Sequence, residues 1–165
     1  MIIINKFGYL KYKDLKFRCA LGKAGIGYKK KEGDNITPSG VYKINRIYFR
    51  KDRIKKLKLK FKLSTIKKNF GWCDDPKSRN YNKLIKIPNN SSYENLYRND
   101  NIYDIICVLN YNTNPTVKNK GSAIFIHIAN KKFKATQGCV ALRKESLLKL
   151  LSKITKKTEI WIKAN

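Results

Sequence analysis

Apolar residues recur at every second position along much of this chain, and that period limits the fold more than any other feature. Residues 9–21 (YLKYKDLKFRCAL) and 41–49 (VYKINRIYF) alternate in this way, and Leu57, Leu59, Phe61 and Leu63 repeat the pattern inside the basic stretch 51–68. A period of two puts the apolar side chains on one face of an extended strand, so each of these segments predicts a strand or extended arm with one face buried. Residues 103–111 and 121–129 read as further strands, the second almost continuously apolar and therefore central, and 158–163 closes the chain with one more alternation. One helix is predicted, over 143–157. There Leu147, Leu148, Leu150, Leu151 and Ile154 fall on a single helical face. Turn residues cluster at Gly33-Asp34-Asn35 and Pro38-Ser39-Gly40, and 71–100 reads as a long loop region with short ordered pieces. The expectation is a mainly β fold with one principal C-terminal helix.

A length of 165 residues fits a single domain spanning 1–165. With 42% hydrophobic residues, ten tyrosines and seven phenylalanines there is material for an ordinary core, despite 38 Lys plus Arg against 11 Asp plus Glu. The formal charge of +27 is spread from Lys6 to Lys163. Such a surface concentrates anionic partners, whether nucleic acid, an anionic membrane face or a wall polymer, although Lys enrichment by compositional drift would look the same. No segment approaches the roughly 18 apolar residues of a membrane span. The opening MIIINKFGYLKYK lacks the basic and long apolar regions of an export signal, so a cytoplasmic protein, or one whose leader lies outside this chain, is expected.

Cys19, Cys73, Cys107 and Cys139 are separated by 54, 34 and 32 positions. That fits no CxxC or zinc spacing, and one histidine cannot complete a multi-histidine site, so no metal and no cofactor is expected. Four is an even count, which leaves two disulfides open, but free thiols are the preferred reading, with Cys107 a buried small hydrophobe in YDIICVL. Cys73, on a loop beside two carboxylates, should be a poor nucleophile.

FIHIANKKFKATQGCVAL holds the only histidine, His127, and twelve positions later Cys139. The order strand, histidine, loop, Gly-Cys, helix puts an imidazole on a rigid element and a thiol at the following turn. A thiol is mostly protonated at neutral pH and needs such a base to act as a nucleophile. Gly138 lets a substrate approach the backbone, and N–H groups around Cys139, including those of Gly138 and Val140, could face a developing oxyanion. A strand histidine satisfied by a carbonyl beside an inert cysteine would give the same spacing.

AIFIHIANKKFKATQGCVAL resembles the signature of the L,D-transpeptidase (YkuD-type) catalytic domain: a strand histidine, then some dozen residues on Ser/Thr-x-Gly-Cys and a hydrophobic residue. Thr136, Gln137, Gly138, Cys139 and Val140 fill that pattern. CALGKAGIGYKKKEGDNITPSGVYKI, with its Thr-Pro-x-Gly turn, GWCDDPKSRNYN and GSAIFIH extend the resemblance over most of residues 18–151. Two positions depart from the commoner pattern: Ile128 stands where Gly follows the histidine, and Ala141 where Arg falls two positions after the cysteine. The resemblance implies a β-sandwich or barrel-like fold, and an acyltransferase in which Cys139 is nucleophile and His127 general base and acid. It further implies tetrapeptide stems of bacterial peptidoglycan as partners, 3–3 cross-links as product and a role in cell wall organisation and cell shape. The enzyme is then expected to work as a monomer in the cell envelope or periplasm, with no specific nucleic acid partner.

Other candidates for substrate contact are Thr136 in the motif, Lys31 in the turn before Thr37, and Arg143 beyond the cysteine. Trp72, Asp74, Asp75, Tyr81 and Asn82 combine an aromatic face with carboxylates and an amide, a mixture suited to a peptide bearing amino groups, but equally to turn caps. Two rival readings stay open. The same site could hydrolyse wall peptides, or the chain could be a non-catalytic cationic module for nucleic acid or anionic wall polymer.

Overall fold

The alternating segments become the staves of a closed sheet. The computed structural model describes residues 1–164 and contains β1 (Ile2–Asn5), β2 (Tyr9–Tyr12), β3 (Leu15–Ala20), β4 (Ile26–Gly27), β5 (Thr37–Pro38), β6 (Gly40–Phe49), β7 (Leu63–Thr65), β8 (Phe70–Cys73), β9 (Leu84–Lys86), β10 (Tyr93–Asn95), β11 (Ile105–Leu109), β12 (Phe125–Ile128), β13 (Val140–Leu142), α1 (Lys144–Lys153) and β14 (Glu159–Ile162). Hydrogen-bonded neighbours run β11-β12-β13-β3-β2-β1-β14-β6, and β6 returns to pair with β11. Closure leaves those eight strands without a free edge. The pairs β1–β14 and β12–β13 are parallel, and β7 adds to β6 in parallel outside the ring.

Inside, Ile2 and Ile4 of β1, Ile160 and Ile162 of β14, and Ile126 and Ile128 of β12 are almost wholly buried, and Leu147, Leu150 and Leu151 of α1 join the same core. β6 serves both this interior and the outer face. Its register against β11 shifts between Val108 and Leu109, so Leu109 opposes Ile44 while Val108 opposes Arg46. The bulge reverses parity. Ile44 and Ile47 therefore both enter the barrel, and Tyr48 turns outward.

Outside β11 and β12 a second apolar cluster forms around Tyr48, Trp72, Leu96, Tyr103, Ile106 and Phe125. A three-stranded sheet, β10-β8-β9, supplies its cover. Residues 71–100 therefore carry more order than their turn-rich composition suggests. Gly71 permits it: a Cβ there would lie 2.7 Å from Ile87 Cγ2 and 3.1 Å from Tyr93. Cys73 ends β8, fully buried, instead of lying on a loop.

Residues 9–21 are two strands and not one, because Lys13 adopts φ 53° and turns the chain between β2 and β3. Residues 51–68 are an arm with one short strand, β7. The helix is shorter than its pattern and ends at Lys153, where Ile154 is extended yet still buried. All four cysteines are free thiols. No helix among the described residues is long and apolar enough to cross a membrane.

Candidate active site

Alternation along β12 decides what the site is made of. Ile124, Ile126 and Ile128 point into the barrel, so Phe125 and His127 must point out. β13 lies parallel to β12 with His127 opposite Ala141 and Ile126 opposite Val140. Cys139, two residues before Ala141, shares the outward face with His127. Both side chains line one cavity of about 540 Å³ that is open to solvent.

The imidazole is 94% buried, and its Nδ1 lies 2.9 Å from the Ile128 carbonyl oxygen. A carbonyl can only accept, so Nδ1 carries the hydrogen and Nε2 keeps its lone pair. Burial pulls the ring's pKa down to about 4, the carbonyl contact opposing it. The Tyr103 ring holds His127 edge to face at 5.3 Å.

The thiol of Cys139 donates to the Ala123 carbonyl at 3.1 Å, and its sulfur accepts the Phe125 N–H at 3.3 Å. Burial, with the Glu94 carboxylate nearby, pushes its pKa up to about 12. The resting pair is thus neutral thiol and neutral imidazole. Such a pair attacks an electrophile only when the proton leaves sulfur as the new bond forms.

Thr136 closes the turn before the cysteine: its hydroxyl donates to the Cys139 carbonyl at 2.6 Å and accepts the Gly138 N–H at 3.1 Å. That N–H is therefore engaged within the turn. Gly138 has φ 135°, and an added Cβ would stand 2.9 Å from the Ile36 carbonyl oxygen. The room it leaves is taken by the protein's own backbone, not by open cleft. Val140 is fully buried in the barrel core, so only its backbone borders the site.

The remaining sequence candidates separate into two groups. Asp74 and Thr136 line the cavity, together with Glu32 and Gly33 of the preceding turn. Lys31 is exposed outside it; its N–H and that of Lys30 face Asp34, which organises the turn. Asp75 caps its own turn through the Lys77 N–H, and Arg143 stacks over Phe133 at 5.6 Å beside α1. Trp72, Tyr81 and Asn82 are buried beneath the site. Asn82 Oδ1 accepts from Trp72 Nε1 and from the Ala123 N–H, while its Nδ2 donates to the carbonyls of Tyr111 and Asn112. It fixes the residue whose carbonyl holds the Cys139 thiol. Tyr81 donates to Glu32 and accepts the Gly121 N–H.

Glu94, Arg98 and Tyr103 also line the cavity and carry no signal in the motif. Tyr103 donates to the Glu94 carboxylate, whose pKa burial raises. Arg98 pairs with Asp100 at 2.6 Å and lies 5.3 Å from the Tyr103 ring. Their side chains converge only through the fold. The two departures from the commoner motif also acquire positions. The Ile128 side chain faces the barrel core and only its carbonyl serves the imidazole, whereas Ala141 lines the cavity directly opposite His127. Among the described residues no cluster of His, Cys, Asp and Glu could hold a metal ion.

A family model, that of the L,D-transpeptidase catalytic domain (YkuD), matches residues 5–162, nearly the whole chain. A comparison with curated proteins found no match.

Proposed function

Because the chain belongs to the L,D-transpeptidase catalytic-domain family, whose members are cysteine-dependent enzymes of peptidoglycan, we propose that Cys139 and His127 carry acyl transfer on its tetrapeptide stems. One observation supports this above the others: the only histidine and the motif cysteine share one face of adjacent strands and line one open cavity.

The donor's scissile carbonyl lies over Cys139. As sulfur attacks the carbon, its proton passes to His127 Nε2, and the charge that forms on the ring is stabilised by the Ile128 carbonyl at Nδ1. The tetrahedral intermediate collapses, the terminal D-alanine leaves as an amine protonated by the imidazolium, and a thioester remains. An amine of a second stem then attacks the thioester, giving its proton to His127 and returning the thiol. The product is a 3–3 cross-link.

Glu32, Asp74 and Glu94 line the cavity against the cations Arg98 and Lys134. In a chain with 38 basic and 11 acidic residues that local balance is inverted. It favours an amine-bearing acceptor over water, and so transfer over hydrolysis. The enzyme acts in the cell envelope as a monomer.

Intact-mass measurement after incubation with a carbapenem tests the nucleophile. A single adduct on the wild type, absent from Cys139→Ala, is expected. An unmodified wild type, with binding to anionic polymer that falls steeply with salt, would favour the non-catalytic cationic module instead.

A further inference from the structure

The barrel has a second outward face that this reaction does not use. One register row crosses five strands: Val41 of β6 opposes Trp161 of β14, Trp161 opposes Ile3 of β1, Ile3 opposes Lys11 of β2, and Lys11 opposes Lys16 of β3. Residues in one row share a face, and here it is the outer one, since Ile2, Ile4, Ile160 and Ile162 fill the interior. Val41, Trp161 and Ile3 are 52%, 38% and 37% exposed. They make a continuous apolar strip roughly 10 Å across at ordinary strand spacing.

Cations border the strip. Besides Lys11 and Lys16, Arg18 lies on the same face one row away beside Tyr9, Lys43 stands two residues beyond Val41, and Lys163 sits 4.4 Å from the Trp161 ring. Glu159 is the carboxylate in this group, paired with Lys43 at 3.6 Å. Phe7, on the turn joining β1 to β2, is 71% exposed.

We propose that this face docks on an anionic phospholipid bilayer. A soluble polyanion gains from the lysines but nothing from Ile3 and Val41, whereas a bilayer interface receives both kinds of side chain. Lysines meet acidic headgroups, and a tryptophan among aliphatic residues sits at the headgroup boundary. Position in the ring supports this orientation. Within the closed order β11-β12-β13-β3-β2-β1-β14-β6, the pair β1–β14 lies across the barrel from β12–β13. A molecule docked through the lysine-bordered strip turns its cysteine-histidine cavity away from the lipid.

The test uses the full chain and vesicles of phosphatidylcholine with or without phosphatidylglycerol. Co-sedimentation is expected only with the acidic lipid and is reversed by salt. Of the two tryptophans Trp72 is buried, so Trp161 should report contact by a blue shift in emission. Trp161→Phe should still sediment but lose the shift. Lys11→Glu with Lys16→Glu should weaken binding about tenfold or more, and clearly more than Lys83→Glu with Lys118→Glu, which alters net charge equally at another surface. Val41→Ser should weaken it without changing thermal unfolding. The proposal is overturned if the acidic vesicles are not bound, if emission does not move, if both lysine pairs act alike, or if polyphosphate is bound as tightly without any dependence on Val41 or Trp161. None of these outcomes depends on the thiol, so the proposal can fail while acyl transfer stands.

Discussion

Asn82→Ala should be among the most damaging single changes outside the barrel core. The side chain is 95% buried and takes part in four hydrogen bonds: Trp72 Nε1–H and the Ala123 N–H donate to its Oδ1 at 2.9 and 3.0 Å, and its Nδ2 donates to Tyr111 and Asn112 carbonyls at 3.1 and 2.8 Å. Truncation leaves two N–H donors with no partner, each costing about 1–3 kcal/mol, while the two carbonyls lose less because an under-satisfied C=O is tolerated better than an orphaned N–H. Asn82 also has φ 57°, a conformation that costs alanine about 1 kcal/mol more than asparagine or glycine. The sum is about 4 kcal/mol, or a fall in Tm of about 10 °C for a chain of this size. Asn82→Gly should recover about 1 kcal/mol of that, since it loses the same bonds without the backbone penalty. Urea and thermal unfolding of both variants measure this directly. Loss of less than about 1 kcal/mol in Asn82→Ala would refute the idea that this network holds the strand entry to β12. Because Ala123 supplies the carbonyl that holds the Cys139 thiol, the carbapenem adduct should also form more slowly in both variants.

Burial lowers the pKa of His127 from 6.5 to about 4, so between those values the unfolded chain binds a proton that the folded chain refuses. Stability should therefore fall as pH drops through that window, by roughly 3 kcal/mol from this group, and His127→Gln should remove that part of the slope in acid unfolding curves. The Cys139 thiol is raised to about 12, so iodoacetamide at pH 8 should label it far more slowly than an ordinary exposed cysteine; rapid labelling resolved by peptide mapping would contradict that raised pKa. Gly138→Ala should lower stability by about 1–3 kcal/mol in thermal unfolding, because φ 135° and the Ile36 carbonyl 2.9 Å away both exclude a Cβ.

Strands with an alternating pattern were legible wherever one face meets the barrel core, as in β6 and β14. The partner of each strand was not. Nothing local in Ile2–Asn5 says that it lies parallel to Glu159–Ile162, and that pairing, like the closure of β6 on β11, is paid for only by contacts distant in sequence. The hairpin at Lys13 was hidden because lysine is not a turn signal, yet it takes a positive φ. At the site, His127 and Cys139 stood out because few residue types do their chemistry. Trp72 drew attention for its aromatic face and Asn82 for its amide, yet the fold uses both in an internal network, and sequence cannot tell a buried amide from a ligand-binding one. Glu94 and Arg98 lie in ordinary turn-rich sequence and Tyr103 at the head of a segment read as a strand, and the three reach the cavity only through the fold.

The thioester is the intermediate on which the account rests. Incubating the full chain with a tetrapeptide stem, quenching in acid and mapping peptides by mass should find the Cys139 peptide heavier by the donor less its terminal residue, with free D-alanine released in equal amount. A Cys139 peptide that stays unmodified while D-alanine is released, or a Cys139→Ala protein that releases it at the wild-type rate, would contradict the account.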